Sequence, residues 1–158
     1  MYSSRQFDDL LKRLSDAPAR IAGAVARLSD TDKHLTPSNG EWSAAEILAH
    51  LRASDDILGH RLYAILTRDH PVLPAYDERR WAEIACYAQA DFELSLKAFM
   101  LRRAELVSML RQVAIKDWQR LGIHEEKGAV SLFQVATSLM EHEEQHCAQL
   151  EALDKRRS

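Results

Sequence analysis

His142 and His146 stand four residues apart in a segment whose apolar positions recur every three to four residues. On a helix, residues i and i+4 lie one above the other, about 6 Å apart. That spacing lets two imidazoles grip one metal ion. His50 occupies a core-facing position of an earlier helical stripe in the same way. A lone histidine on an apolar stripe is ordinarily a packed or boundary residue. Three of them on two facing stripes are costly to bury without partners, and one divalent ion would satisfy all three. Three neutral imidazoles also leave coordination positions open for water or a substrate atom, as in catalytic rather than structural sites. An ion so held lowers the pKa of a bound water or thiol towards neutrality. His50 lies about two turns into its helix and His142 about three turns into its own, so a stagger of roughly one to two turns must bring them level.

Two other metal motifs overlap the same residues. His142-Glu143-Glu144-Gln145-His146 has the HExxH form of zinc proteases. No histidine follows His146, Gln149 stands where the extended motif needs glycine, and the composition offers no strand edge to bind a peptide. Glu143-x-x-His146 is half of a di-iron carboxylate set, whose second ExxH is absent. Neither is favoured. Around the three histidines, Glu46 has two roles open to it: orienting His50 one turn on, or closing a helix cap with Ser43. Gln149, one turn beyond His146, is the other candidate supporting residue. Glu143 and Glu144 are expected in solvent. Arg61 and Arg103, near inward stripes, would bind a substrate carboxylate or form boundary salt bridges. Cys147 points off the ligand face as a packed thiol. His34, His60 and His70 lie off the stripes, and His124 is the one other histidine with a candidate site role. Trp42, Trp81 and Trp118 are expected to close the ends of the domain, with the mouth of the site as the other place for one of them.

The elements that position these residues are helical. The 158 residues include 22 Ala and 21 Leu against 6 Val and 7 Ile, with 5 Gly and 4 Pro. Ala and Leu favour helices, whereas strands favour β-branched and aromatic residues. An all-β domain and a glycine-rich phosphate loop are both excluded. Phe7, Leu10, Leu11 and Leu14 mark a first helix, with a cap at Ser15-Asp16 and a restart or kink at Pro18. Pro37-Ser38-Asn39-Gly40 reads as a turn. Ser43-Ala-Ala-Glu46 is a capping box that opens a second helix, ending before Pro71. A third helical region runs from near Glu78 to Val113, residues 118–128 form a loop, and Ser131 caps a last helix. Four such helices without strands predict an all-α four-helix bundle, one domain spanning residues 1–158.

Charge and cysteine usage narrow the function further. The net charge is −3, and the densest basic cluster is Lys155-Arg156-Arg157. That cluster reads as a solvated helix end, so no nucleic-acid partner is expected. Cys86 and Cys147 make no disulfide framework, the first residues contain Asp8 and Asp9 where a signal peptide needs an apolar run, and no membrane span is expected. The expected location is the cytoplasm.

Two segments carry a family resemblance. Trp42-Ser43-Ala-Ala-Glu46-Ile-Leu-Ala-His50-Leu51 resembles the W-S-x-x-E-[IV]-L-x-H-L segment of DinB-like proteins of the DinB/YfiT type, and His142-x-x-x-His146-x-x-Gln149-Leu150 resembles their closing H-x-x-x-H-x-x-Q-[IL]. Asp77 to Trp81, Asp117-Trp118, His124, Gly128 and Ser131-Leu132 fall between them in the family's order. The resemblance implies a DinB-like four-helix bundle, a homodimer, and one divalent ion on His50, His142 and His146. The ion would be Zn, Ni or Fe, a choice the sequence does not make. Some relatives are transferases and isomerases that use low-molecular-weight thiols, so such a thiol is a second cofactor to consider. The reading is a metal-dependent enzyme that activates a thiol or water for transfer to, or hydrolysis of, a small molecule. The alternative is a non-catalytic metal- or ligand-binding stress-response bundle.

Overall fold

The computed structural model describes residues 2–37 and 40–155. Ser38 and Asn39, at the centre of the anticipated turn, lie outside the described residues, as do Arg156 and Arg157 of the basic cluster.

Four long helices form a bundle: α1 (Ser4–Val25), α3 (Ala44–Thr67), α5 (Phe92–Leu110) and α6 (Leu132–Lys155). Two short helices, α2 (Asp30–His34) and α4 (Glu78–Ile84), sit in the connections. The close pairs are α3 with α5, α1 with α6, α3 with α6 and α1 with α5. Consecutive α1 and α3 therefore stand diagonally opposite, as do α5 and α6. α3 and α6, which carry the three histidines, are neighbours.

Each long helix starts where a side chain replaces a missing backbone partner. Ser43 Oγ accepts from the Glu46 N–H, and the Glu46 carboxylate accepts from the Ser43 N–H at 2.9 Å and from its hydroxyl at 2.8 Å. Ser131 and Gln134 make the same reciprocal pair at the head of α6. Ser3 and Gln6 do so for α1, and Asp91 caps α5.

Three expectations need correction. α1 is continuous, with Pro18 inside it and no cap at Ser15. An interior proline costs about 3 kcal/mol; burial of Leu14, Ala17 and Ile21 on both sides of it offsets that cost. The third helical region is three pieces: α4, a 3-10 turn at Tyr87–Gln89 that follows Cys86 in a left-handed conformation, and α5. Finally, strands are present. β1 (Val72–Leu73), β2 (Leu121–His124) and β3 (Gly128–Ser131) form a small sheet in that order, β1 parallel and β3 antiparallel to β2. Gly122 permits it, because a Cβ there would stand 2.7 Å from Leu73 Cδ1.

The core is divided. One apolar cluster, next to the sheet, includes Leu14, Leu58, Leu62, Leu106, Trp118 and Met140. The other, at the far end, includes Ile21, Leu51, Phe99, Cys147 and Leu150. On every long helix the switch from one cluster to the other takes about two turns, from Leu51 to Leu58, from Phe99 to Leu106 and from Met140 to Cys147. The buried polar residues Ser54, Asp55, Arg103 and Glu143 fill that gap, and His50, His142 and His146 border it. No described helix is long and apolar enough to cross a membrane.

Candidate metal centre

His50 projects from the second turn of α3, and His142 and His146 from successive turns of α6. Their Nε2 atoms converge. His50 Nε2 lies 2.7 Å from His142 Nε2, and His146 Nε2 lies 3.1 Å from the same atom. All three nitrogens are within 4.8 Å of one another. Imidazole nitrogens around a tetrahedral ion at about 2.0–2.1 Å stand roughly 3.3 Å apart. The cluster is already near that size.

Protonation suits the same purpose. Burial, then the charge of the neighbouring imidazoles, pushes His50 down to about 3. Burial and His146 push His142 down to about 4. His146 is lowered as well, again chiefly by burial. The rings are neutral at pH 7, and three neutral imidazoles have lone pairs to offer. Gln149 selects the tautomer of one: its Oε1 lies 2.8 Å from His146 Nδ1, so Nδ1 carries the proton and Nε2 presents its lone pair to the centre. His50 Nδ1 and His142 Nδ1 are buried without a protein partner. Three acceptor nitrogens packed together, with no cation of their own, fit a divalent ion. Glu46 is engaged by Ser43 in the helix cap, which is the role its geometry favours.

Residues not anticipated from the sequence complete the surroundings. Trp42, immediately before the cap of α3, lies against His50 with ring centroids 4.6 Å apart and runs nearly parallel to His146, at 18°. It covers the histidines. Glu78, the first residue of α4, brings Oε2 to 3.9 Å from His50 Nε2 while its side chain stays half exposed. The Ser54 hydroxyl is 3.4 Å from His50 Nε2 and 3.3 Å from the Tyr76 hydroxyl. An open cleft of about 320 Å³ reaches the cluster at His146 and Gln149 and is lined also by Trp42, Glu78, Arg79 and Leu153. The signal for Glu78 was its position beside Asp77, the cap of α4.

Other candidates sit elsewhere. Glu143 is not in solvent: it is buried against Arg103, which also donates to Asp55 at 2.6 Å. A residue one place after His142 is turned about 100° from it, and on α6 that direction faces α5. Burial pushes Glu143 up, and the bonded Arg103 guanidinium opposes it by favouring the carboxylate. Arg103 is thus a structural ion partner. Arg61 donates to the Pro74 carbonyl. Glu144 pairs with Arg13 across α1 and α6. Cys147 is buried, its thiol pushed up to about 11 by burial and by the Glu151 carboxylate. His124 is buried in β2, its Nδ1 accepting from the Glu126 N–H. Trp118 stacks on Phe7 in the sheet-end core.

Residues 13–150 match the model of the DinB superfamily. The chain belongs to the DinB superfamily. Among its curated relatives is "Putative metal-dependent hydrolase OB0782" of Oceanobacillus iheyensis, 26% identical over 150 residues, covering 95% of this chain and 87% of the relative. "Putative metal-dependent hydrolase YfiT" of Bacillus subtilis is 24% identical over 98% of this chain and 87% of its own. The solved structure of YfiT, described as a probable metal-dependent hydrolase with an unusual four-helix bundle topology, superposes with a TM-score of 0.91 over 99% of this chain and 90% of that one. The diagonal placement of consecutive helices is shared with it at the level of fold. A mycothiol-dependent maleylpyruvate isomerase has the same core fold at 14% identity, with a TM-score of 0.73 over 91% of this chain and 60% of that one.

Proposed function

We propose that this superfamily member is a metal-dependent enzyme that hydrolyses a small molecule. His50, His142 and His146 hold the ion, and the cleft beside Trp42 admits the substrate. The observation that carries the reading is the convergence of three Nε2 atoms, with no internal cation, at the inner end of an open cleft. A divalent ion bound there supplies the Lewis acidity that makes water or a thiol nucleophilic near neutral pH. The protein does the rest. Glu78 stands beside the cluster with an exposed carboxylate that accepts the nucleophile's proton at Oε2 and releases it to solvent. The buried Ser54 hydroxyl, between His50 and Tyr76, holds the His50 ring in place. Trp42 excludes water from the far side of the imidazoles.

Transfer of a low-molecular-weight thiol is the second reading, favoured by the shared fold with a mycothiol-dependent isomerase. That thiol would come from outside the chain, because Cys147 is packed in the core and Cys86 is exposed beyond the helix carrying Glu78.

Purified protein is expected to carry stoichiometric divalent metal, measured by elemental emission. His142→Ala should lower metal affinity by more than about 100-fold, since loss of a mere supporting residue already costs 10–100-fold, with helical circular dichroism retained. A panel of small esters and amides, with and without added thiols, then separates hydrolysis from transfer. Absence of metal uptake overturns both; metal uptake without turnover on any substrate favours a non-catalytic binding bundle.

A further inference from the structure

Arg79 and Arg80 are consecutive at the start of α4, yet they are partnered differently. Arg80 turns along its own helix to Glu83, at 2.8 Å. Arg79 lines the cleft that leads to His146 and has no carboxylate within ion-pair range among the described residues. Its two terminal nitrogens both donate to one backbone oxygen, that of Gly40, at 3.2 and 3.3 Å. Its guanidinium carbon lies 5.6 Å from the centre of the Trp42 ring. A guanidinium has five N–H donors in a planar fork, so the carbonyl leaves most of them unspent. Stacking on an indole also fixes the direction of the fork.

The position matters because Trp42 has other neighbours. The same indole rests against His50 and His146, so one ring joins the histidines to the guanidinium. Glu78 and Glu41 line the same cleft. Glu78 is turned to His50, and Arg79 is the cleft's cation. Ile47 and Leu153 supply apolar wall to the same cleft.

We infer that the cleft takes a two-ended small molecule, with a metal-seeking group at the histidines and a carboxylate held by the Arg79 fork across Trp42. This rests on the metal reading above and names the substrate class for the same site. Neutral molecules of the same length are discriminated against, since they leave the fork without an anion.

The test measures binding to zinc-loaded protein by calorimetry. The probes are acetohydroxamate, a series of hydroxamates bearing a terminal carboxylate on chains of increasing length, and the methyl ester of each. At one chain length the acid should bind about tenfold more tightly than its ester, the scale of one charge-assisted fork contact. Arg79→Gln should erase that advantage and leave acetohydroxamate binding unchanged. Arg79→Lys, which keeps the charge and loses the fork, should retain only part of it. Equal binding of acid and ester at every length, or an advantage that persists in Arg79→Gln, overturns the inference while the metal reading stands. Failure of acetohydroxamate itself to bind overturns the metal reading and this inference together.

Discussion

Two polar clusters interrupt the core of this bundle, and they are opposites. Arg103 brings its own cation to the carboxylates of Asp55 and Glu143, deep between α3, α5 and α6. The histidine cluster, built on α3 and α6 alone, gathers three neutral acceptors and no donor cation. Arg103 and Glu143 are each 1% exposed, and a surface pocket between α3 and α5 touches their partner Asp55. The histidines meet a cleft at His146. Buried carboxylates that meet a cation of their own chain are part of the scaffold. Buried imidazoles whose Nε2 atoms converge with no such cation fit a ligand that arrives from outside.

Each cluster can be broken in a way that sharpens the contrast. Arg103→Met should have the largest effect on stability, about 3–5 kcal/mol by denaturant unfolding, because it strands two buried carboxylates. Replacing Arg103, Asp55 and Glu143 together by Met and Leu should recover most of that loss. A triple variant no more stable than the single one would mean that the ion cluster does more than neutralise itself. The histidine cluster should respond in binding instead. Gln149→Leu removes the acceptor that sets the His146 tautomer, and metal affinity should fall about 10–100-fold with little change in the unfolding curve. An unchanged affinity would show that Gln149 is only a lining residue.

The smallest effect is a graded one with pH. In the metal-free protein His50 and His142 stay neutral down to about 3 and 4, whereas in the unfolded chain they titrate at the ordinary histidine value of 6.5. Between those limits the unfolded state binds more protons, so stability falls as pH drops below 6.5 and goes on falling towards the folded values. Melting temperature should decline through that window, and His50→Leu should flatten the decline. A melting temperature indifferent to pH there would show that the imidazoles are not desolvated.

Much of this was legible in the amino-acid order. His50, His142 and His146 stood out because each takes a place on a stripe otherwise held by Leu and Ile, and the capping boxes at Ser43 and Ser131 announce where two helices begin. The sheet was not legible. Val72–Leu73 is two residues long and Leu121–His124 is four, too short for an alternating pattern to rise above its surroundings. Glu143 was misplaced for a different reason. Side-chain charge suggested solvent, and nothing local reveals that Arg103 stands opposite, forty residues earlier in the chain. Glu78 and Trp42 reach the histidines, and Arg79 reaches Trp42, only through the packing of α4 and of the segment before α3, which no single-helix periodicity encodes. Pro18 taught the reverse lesson: a strong local breaker yielded to the burial of its neighbours.

The cap on α3 has a consequence for how the site is located. A helix is a screw, and each added residue rotates the next by about 100°. Ser43 and Glu46 settle the residue at which the screw begins, and so they settle the compass bearing of His50, two turns on. Trp42, the last residue before the thread starts, is set by the same event. Histidine and cover thus share one origin, and an insertion anywhere in the preceding connection would shift chain numbering without turning either of them.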